Sequence, residues 1–229
     1  MVSFPRRLLI AYLLLLLLPA LGSPATAQND ETEKLRTSES VFAEMLDMRE
    51  TGIPPNLLED ARAVAIIPGV VKAGFIVGGR RGRGVLLIRR DDASWSAPAF
   101  LTLTGGSFGL QAGVSSTDVI LVFRNDGSVQ SLVDGKVTLG GNVSVAAGPV
   151  GRNAEATTDA RLKAEIYSYS RSRGAFAGVA LEGASLNFSE SNNEAMYGAD
   201  ATPNSILYGS TPPPEAAHGL RSLLAKSTP

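Results

Sequence analysis

Two periods divide this chain. Up to about residue 62 the apolar positions recur at helical spacing, and from residue 63 onward they alternate with polar ones. In the first part, Leu35, Phe42, Met45 and Leu46 fall on one broad face and predict a helix over 33–49, after a polar, loosely ordered start at 28–40. Gly52 stops that helix and Pro54-Pro55 prevents it from resuming. Asn56 then caps a short second helix over 57–62, with Glu59 and Asp60 near its positive dipole end.

The second part predicts strands at 63–67, 71–78, 84–90, 98–104, 106–114, 118–124, 137–147, 162–170 and 175–186. Alternation is cleanest in three of them. Phe108, Leu110, Ala112 and Val114 oppose Ser107, Gly109, Gln111 and Gly113. Val137, Leu139, Val143, Val145 and Ala147 oppose Thr138, Asn142 and Ser144. Leu162, Ala164 and Ile166 oppose Lys163, Glu165, Tyr167 and Tyr169. Such strands bury one face and wet the other. Asp91-Asp92, Asn125-Asp126-Gly127, Asp134-Gly135 and Ser172-Arg173-Gly174 are turn formers between runs, as antiparallel neighbours require. Glycines within the runs (Gly74, Gly109, Gly113, Gly140, Gly141, Gly178) suit strands that coil or turn corners. The predicted fold is mainly β, in the α+β class: a small antiparallel β-barrel core with short helices packed outside. Gly209 to Pro214 reads as a break, and 210–229 as a proline-rich tail in which Leu220, Leu223 and Leu224 suit one or two turns of surface helix.

Composition refines this picture. Hydrophobic residues make up 44% of the 229, enough for a packed core, while 24 glycines and only 6% aromatics favour curved β structure over a helical bundle. Arg6 and Arg7 precede an unbroken apolar run over 8–18, followed by Pro19, Gly22, Pro24 and the small residues Ala25-Thr26-Ala27. These are the parts of an export signal cleaved before Gln28. The alternative, an uncleaved anchor, has only fourteen residues (8–21) where a spanning helix needs about 20. Removing residues 1–27 takes away two arginines and no acid, so 21 cations become 19 against 22 acids, a net charge of −3. No cysteine is present, which excludes disulfides, a cysteine nucleophile and a lipid-anchored N-terminus. The expected location is a bacterial periplasm, with full secretion as the alternative and no transmembrane segment after signal cleavage.

Candidate chemistry is sparse. The single histidine, His218, lies in the tail beyond three prolines, far from any recognisable triad. The acids Asp118, Asp126, Asp134 and Asp159 occur singly in turns, without the spacing of a calcium loop. Glu165, Glu182, Glu190 and Glu194 are the carboxylates from which a hydrolase pair would have to come. Gly79-Arg-Arg-Gly82-Arg-Gly84 leads into a strand rather than a helix, so neither a phosphate loop nor a dinucleotide fingerprint fits. No enzyme activity, metal or cofactor is implied, and an acidic net charge gives no footprint for nucleic acid. One feature is local. Between Ala61 and Arg90 there is no acidic residue, yet Arg62, Lys72, Arg80, Arg81, Arg83, Arg89 and Arg90 are all present. Arg80, Arg81 and Arg83 on a glycine-rich loop tip, with Arg89 and Arg90 at the end of the next strand, are the candidate lipid-binding residues, because the guanidinium fork suits phosphate oxygens. The alternative is a solvated turn whose arginines keep an edge soluble.

Several ordered motifs carry a resemblance. They are Leu58-x-x-Ala61 leading to Ala65-Ile66-Ile67-Pro68, Gly82-x-Gly84, Trp95-Ser96-x-Pro98-x-Phe100, and Gly109-x-Gln111-x-Gly113 with Asp118 following. Further on come Leu139-Gly140, Ala146-Ala147-Gly148-Pro149-Val150-Gly151-Arg152, Tyr167-Ser168-Tyr169-Ser170, Gly174-x-Phe176-x-Gly178, and Asn193 with Tyr197-Gly198. In these the stretch 57–209 resembles the SYLF domain family. The resemblance implies a β-barrel core with surface helices and a non-catalytic binding role. In the family's eukaryotic members that role is association with phosphoinositides and actin; its bacterial members are typically exported. The acid-rich segment 28–60 departs from the basic N-terminal sequence those eukaryotic members use. Gly148 to Arg152 reads as a rigid loop, either structural or, through Arg152, anion-binding. The resulting division is 1–27 signal, 28–56 helical segment, 57–209 barrel domain and 210–229 tail. The expected partner is an anionic membrane lipid surface with phosphoinositide-type headgroups, contacted peripherally. The alternative is a scaffolding role in the cell envelope with protein partners.

Overall fold

The computed structural model describes residues 24–48, 52–135, 137–150, 163–172 and 175–228. Its dominant element is a two-stranded ribbon. β1 (Ala63–Ile88) and β2 (Ala99–Phe123) pair antiparallel from Ala63↔Phe123 to Leu86↔Ala99, with register shifts between Ile67 and Val70 and between Gly74 and Ile76. Six strands expected from the sequence are therefore two long ones. The register shifts bend the ribbon instead of ending it, as bulges do.

The ribbon folds back on itself until the two halves of β1 touch. The Arg89 amide donates to the Arg62 carbonyl at 2.8 Å, joining the two ends of the strand. Further in, a Cβ added to Gly84 would stand 2.2 Å from the Ile66 carbonyl oxygen and 2.7 Å from the Ile67 Cα. One added to Gly82 would meet the methyls of Val70 and Ile67 at 2.7 and 2.9 Å. Only glycine permits that approach of backbone to backbone.

Both faces of the ribbon are consequently buried, in two clusters. Ala63, Ala65, Ile67, Leu86, Leu101, Leu103, Val119, Leu121 and Phe123 fill the inner one. Val64, Ile66, Val85, Leu87, Phe100, Ile120 and Val122 face outward beneath helices. This explains why Val85-Leu86-Leu87-Ile88 is apolar without interruption. The remaining strands extend the sheet: β3 (Val137–Thr138), β4 (Val145–Ala147), β5 (Ile166–Ser172), β6 (Ala175–Gly178) and β7 (Ser185–Phe188). The seven-stranded sheet runs β3-β7-β2-β5-β4, with β1 on β2 and β6 on β5. The expected barrel-like β core with outer helices is what the chain forms, although the β4–β5 pair is parallel.

The helices differ from expectation in four places. α1 (Pro24–Asp47) starts well before residue 33, because Glu31, Leu35, Ser38, Phe42 and Met45 make a continuous buried stripe that includes an acid. α2 (Pro55–Glu59) begins at the second proline of the pair with Pro54 as its cap, two residues earlier than a cap at Asn56 implies. Asn125-Asp126-Gly127, read as a hairpin turn, opens α3 (Asp126–Val133), whose cap is the Asn125 side chain accepting from the Ser128 amide at 2.8 Å. After α4 (Glu190–Tyr197) and α5 (Pro203–Leu207), the presumed tail folds into α6 (His218–Ser227). Leu220 and Leu224 are fully buried there, and each such leucine contributes about 1.5–3 kcal/mol. Arg221 donates to the Trp95 carbonyl at 2.7 and 3.0 Å, and the Trp95 indole donates to Thr228 Oγ1 at 3.2 Å. Residues 210–228 thus belong to the domain, not to a tail. No described helix is long and apolar enough to cross a membrane.

Gly84→Val tests the fold-back contact. Its side chain has no room against the Ile66 and Ile67 backbone, so it should cost about 3 kcal/mol or more. Urea and thermal denaturation read this directly, and an unchanged midpoint would mean that the two halves of β1 are not in contact.

Candidate functional site

The arginine cluster does not form a loop tip. Arg80, Arg81 and Arg83 lie within β1, paired with Gly105, Thr104 and Thr102. The Gly-Arg alternation that suggested a loop has a different cause. Gly82 and Gly84 point into the fold-back contact, and the strand's period of two turns Arg81 and Arg83 to the opposite face.

The five arginines play four different parts. Arg80 is half-buried and donates at 3.4 Å to the carbonyls of Ala180 and Gly106. Arg81 is exposed, as is Lys72 further along the same strand. Arg83 reaches Glu31 of α1 at 3.6 Å. Arg89 and Arg90, beyond the opposite end of β1, are structural ties. Arg89 donates to the carbonyls of Glu59 at 2.7 Å and Thr228 at 3.0 Å, and Arg90 to Gly209 at 2.8 Å and Leu207 at 3.5 Å. Both line a cleft of about 700 Å³ that also holds Arg62, Asp91, Asp92, Asp126 and Tyr208. Its carboxylates oppose an anionic ligand. The sequence-predicted set therefore splits between two ends of the ribbon and is not brought together.

Glu31 was invisible to sequence reading. It is only 3% exposed, accepts a hydrogen bond from Asn192 Nδ2 of α4 and faces Arg83. Burial pushes its carboxyl above the usual range, while the Asn192 hydrogen bond and the Arg83 charge pull the other way. Lys34, one turn on, has its ammonium pushed down by burial and then by Arg83. A second junction fixes the other half of α1. Arg171 of β5 holds Asp118 at 2.7 and 3.1 Å and is ion-paired with Glu44. Asp118 also accepts from the Gly69 amide at 2.9 Å. The acids of α1 thus meet cations of the barrel.

The other candidates are structural where they are described. The Glu165 carboxyl is held below the usual range, chiefly by the Ser144 amide, which donates to it at 2.8 Å. Gly148 lies so close to the Tyr169 ring that an added Cβ would stand 2.0 Å from Cζ, and the Tyr169 hydroxyl donates to the Pro149 carbonyl at 3.2 Å. The first half of the Gly148 to Arg152 loop therefore wraps an aromatic ring. Gly151 and Arg152, like Arg161 and Arg173, lie outside the described residues. His218 is exposed at the first turn of α6. Among the described residues no group of three or more His, Asp or Glu side chains is placed to hold a metal ion.

The ribbon's far end carries a signal that sequence reading half caught. Residues 63–88 contain Lys72, Arg80, Arg81 and Arg83 and no acid, and residues 99–117 contain no charged residue at all. Pairing brings these two stretches, 26 and 19 residues long, together into one acid-free part of the ribbon, exposed at 71–74, 81, 83 and 113–116.

Comparison with known proteins fits this fold. Residues 104–227 match the Ysc84 family model, described as "Las17-binding protein actin regulator". The chain belongs to this family. The match covers more than half of the chain, runs through α6, and so carries the domain past residue 209. LAS seventeen-binding protein 3 of Saccharomyces cerevisiae is 41% identical over 175 residues, 75% of this chain and 38% of that protein. SH3 domain-containing YSC84-like protein 1 of Homo sapiens is 38% identical over 177 residues, 77% of this chain and 52% of that protein. The chain spans about half or less of the length of these relatives. The family's printed description names a binding role for its members, which is the kind of role the SYLF motifs imply.

Glu31 and Arg83 yield a pH test. A carboxyl whose pKa is raised by folding binds its proton more tightly when folded, so its contribution to stability grows as pH falls and is lost as pH rises through the folded value. Arg83→Ala strands the ionised Glu31 and should destabilise most near neutral pH, the loss shrinking towards pH ~4 as Glu31 takes up its proton. Adding Glu31→Gln should abolish that pH dependence. Urea titrations of the three proteins at both pH values check it, and an Arg83→Ala cost independent of pH would contradict the pairing.

Proposed function

We propose that this Ysc84-family domain is an exported binding module that associates weakly and peripherally with anionic lipid surfaces, headgroups of the phosphoinositide type among them, at the cell envelope. The observation that carries the reading is the acid-free part of the ribbon, 63–88 paired with 99–117, with Lys72 and Arg81 exposed on it. Several cations on a surface free of acids favour phosphate oxygens over any neutral partner. Export to a periplasm rests on the charged, apolar and small-residue segments of 1–27. The acids of α1, which would repel a membrane if free, are partly neutralised by Arg83 and Arg171.

A second reading has its own support. The relatives' names specify protein binding, to Las17, and the family description adds actin regulation. Those partners belong to the eukaryotic proteins that carry them. Their counterpart here would be a protein of the envelope, with this domain as a scaffold.

Vesicle co-sedimentation separates the two. Each cation near an anionic surface contributes on the order of 1 kcal/mol. Lys72→Glu with Arg81→Glu should therefore remove most binding to phosphatidylglycerol–phosphatidylcholine vesicles and flatten its salt dependence. Arg89→Lys with Arg90→Lys should leave that binding intact while lowering the melting temperature. Equal binding by wild type and the Lys72/Arg81 variant would remove the ribbon from the contact, and no binding by wild type at low salt would favour the scaffold.

A further inference from the structure

At its bend the ribbon forms an exposed tip, and three apolar residues there, Val71, Ala73 and Val114, are not used by the barrel. Around the bend, Val71, Lys72, Ala73 and Gly74 of β1 and Gly113, Val114, Ser115 and Ser116 of β2 are all exposed. Register sorts them by face. Ala73 pairs with Val114 and Val71 with Ser116, so Val71, Ala73 and Val114 share one side, while Lys72 and its partner Ser115 occupy the other. Val71 is 44% exposed and Val114 77%. Among the described residues only four large apolar side chains are so exposed, and these two stand on one face of one ribbon. Scattered apolar residues on a surface need no explanation, but a pair converging at a protruding end does.

We infer that this tip is the element that enters the lipid interface, with Val71, Ala73 and Val114 passing below the headgroups and Lys72 and Arg81 remaining among the phosphates. The inference rests on the lipid-binding reading and adds to it the inserted residues. Three features fit that occupant. From Val71↔Ser116 to Gly74↔Gly113 the tip keeps its register, so the inward half of its amides is paired across the ribbon and the outward half can take partners among headgroups and their water. No acid occurs on 63–88 or 99–117, and the one acid of β2, Asp118, is held by Arg171 and the Gly69 amide. The long stem of Lys72 can carry its charge back to the phosphate level while the valines go deeper.

Fluorescence at position 114 tests this. The chain has one tryptophan, Trp95, which is 2% exposed and silent to solvent changes at the tip. With Val114→Trp in the full chain, phosphatidylglycerol–phosphatidylcholine vesicles should shift the emission to the blue and allow quenching by brominated acyl chains, and pure phosphatidylcholine vesicles should do neither. Because the reporter sits at the tip, contact made by the apolar 8–18 segment cannot imitate the signal. In parallel, Val71→Ser with Val114→Ser should weaken partitioning about tenfold with its salt dependence unchanged, since no charge is altered. Wild-type binding with no shift at position 114 and no loss in the serine variant would overturn the insertion and leave a purely electrostatic contact. Absence of wild-type binding to anionic vesicles would overturn the lipid reading and the insertion together. A blue shift that grows with protein concentration without vesicles would replace the membrane with a second copy of the chain.

Discussion

The contact on which the rest of this structure depends is the approach of β1 to itself. Gly82 and Gly84 bring one half of the strand against Ile66, Ile67 and Val70 of the other, and the Arg89 amide closes the end on the Arg62 carbonyl. Folding the ribbon there makes one face inner and one outer, and both must be covered. α1 and α6 cover one of them with Leu35, Phe42, Met45, Leu220 and Leu224. Short strands and α5 close the other cluster through Leu139, Leu186, Ile206 and Leu207. A side chain at position 84 would separate the halves and deprive both layers of their floor.

The same geometry explains the distribution of charge. An arginine in the strand must go where the period of two sends it. Positions 81 and 83 point away from the fold-back contact. There Arg83 meets the buried Glu31 of α1, and Arg81 meets solvent. Arg89 and Arg90 fall where the strand ends, and their guanidinium groups satisfy carbonyls of α2, the segment after α5 and the C-terminal residues. A run that reads as one basic cluster in sequence is thus shared between a mechanical end, which holds the chain together, and a free end.

Much of the barrel was legible because period-two patterning reports directly on buried faces. Val64 and Ile66 lie on one side and Ala63, Ala65 and Ile67 on the other, as an alternating strand demands. The length of the strands was not legible. The bulge at Ile67/Val70 and the run Gly79-Arg80-Arg81-Gly82-Arg83 interrupt the pattern without interrupting the pairing, so one strand reads as three. α3 escaped because Asn125 is as good a turn former as it is a helix cap, and only tertiary packing of Val129 and Leu132 decides between them. The C-terminal helix was legible only as one or two surface turns at Leu220, Leu223 and Leu224, for a related reason. Three leucine positions after a proline run are a weak signal until Trp95 and its Arg221 tie give them a surface. Of the candidate site, the charge asymmetry was plain in the sequence, whereas the buried Glu31 and the division of the arginines exist only in three dimensions.

Hydrogen exchange, resolved by residue and followed with and without anionic vesicles, puts the whole account to one measurement. If the fold-back contact unites the two halves of β1, amides of 63–67 and 82–88 should exchange slowest and at a common rate, through global opening. Amides of 71–74 and 113–116, at the exposed tip, should exchange early and become protected when vesicles are added. Separate rates for the two halves of β1, with a tip indifferent to vesicles, would contradict both the constraint that organises this domain and the surface it is argued to present.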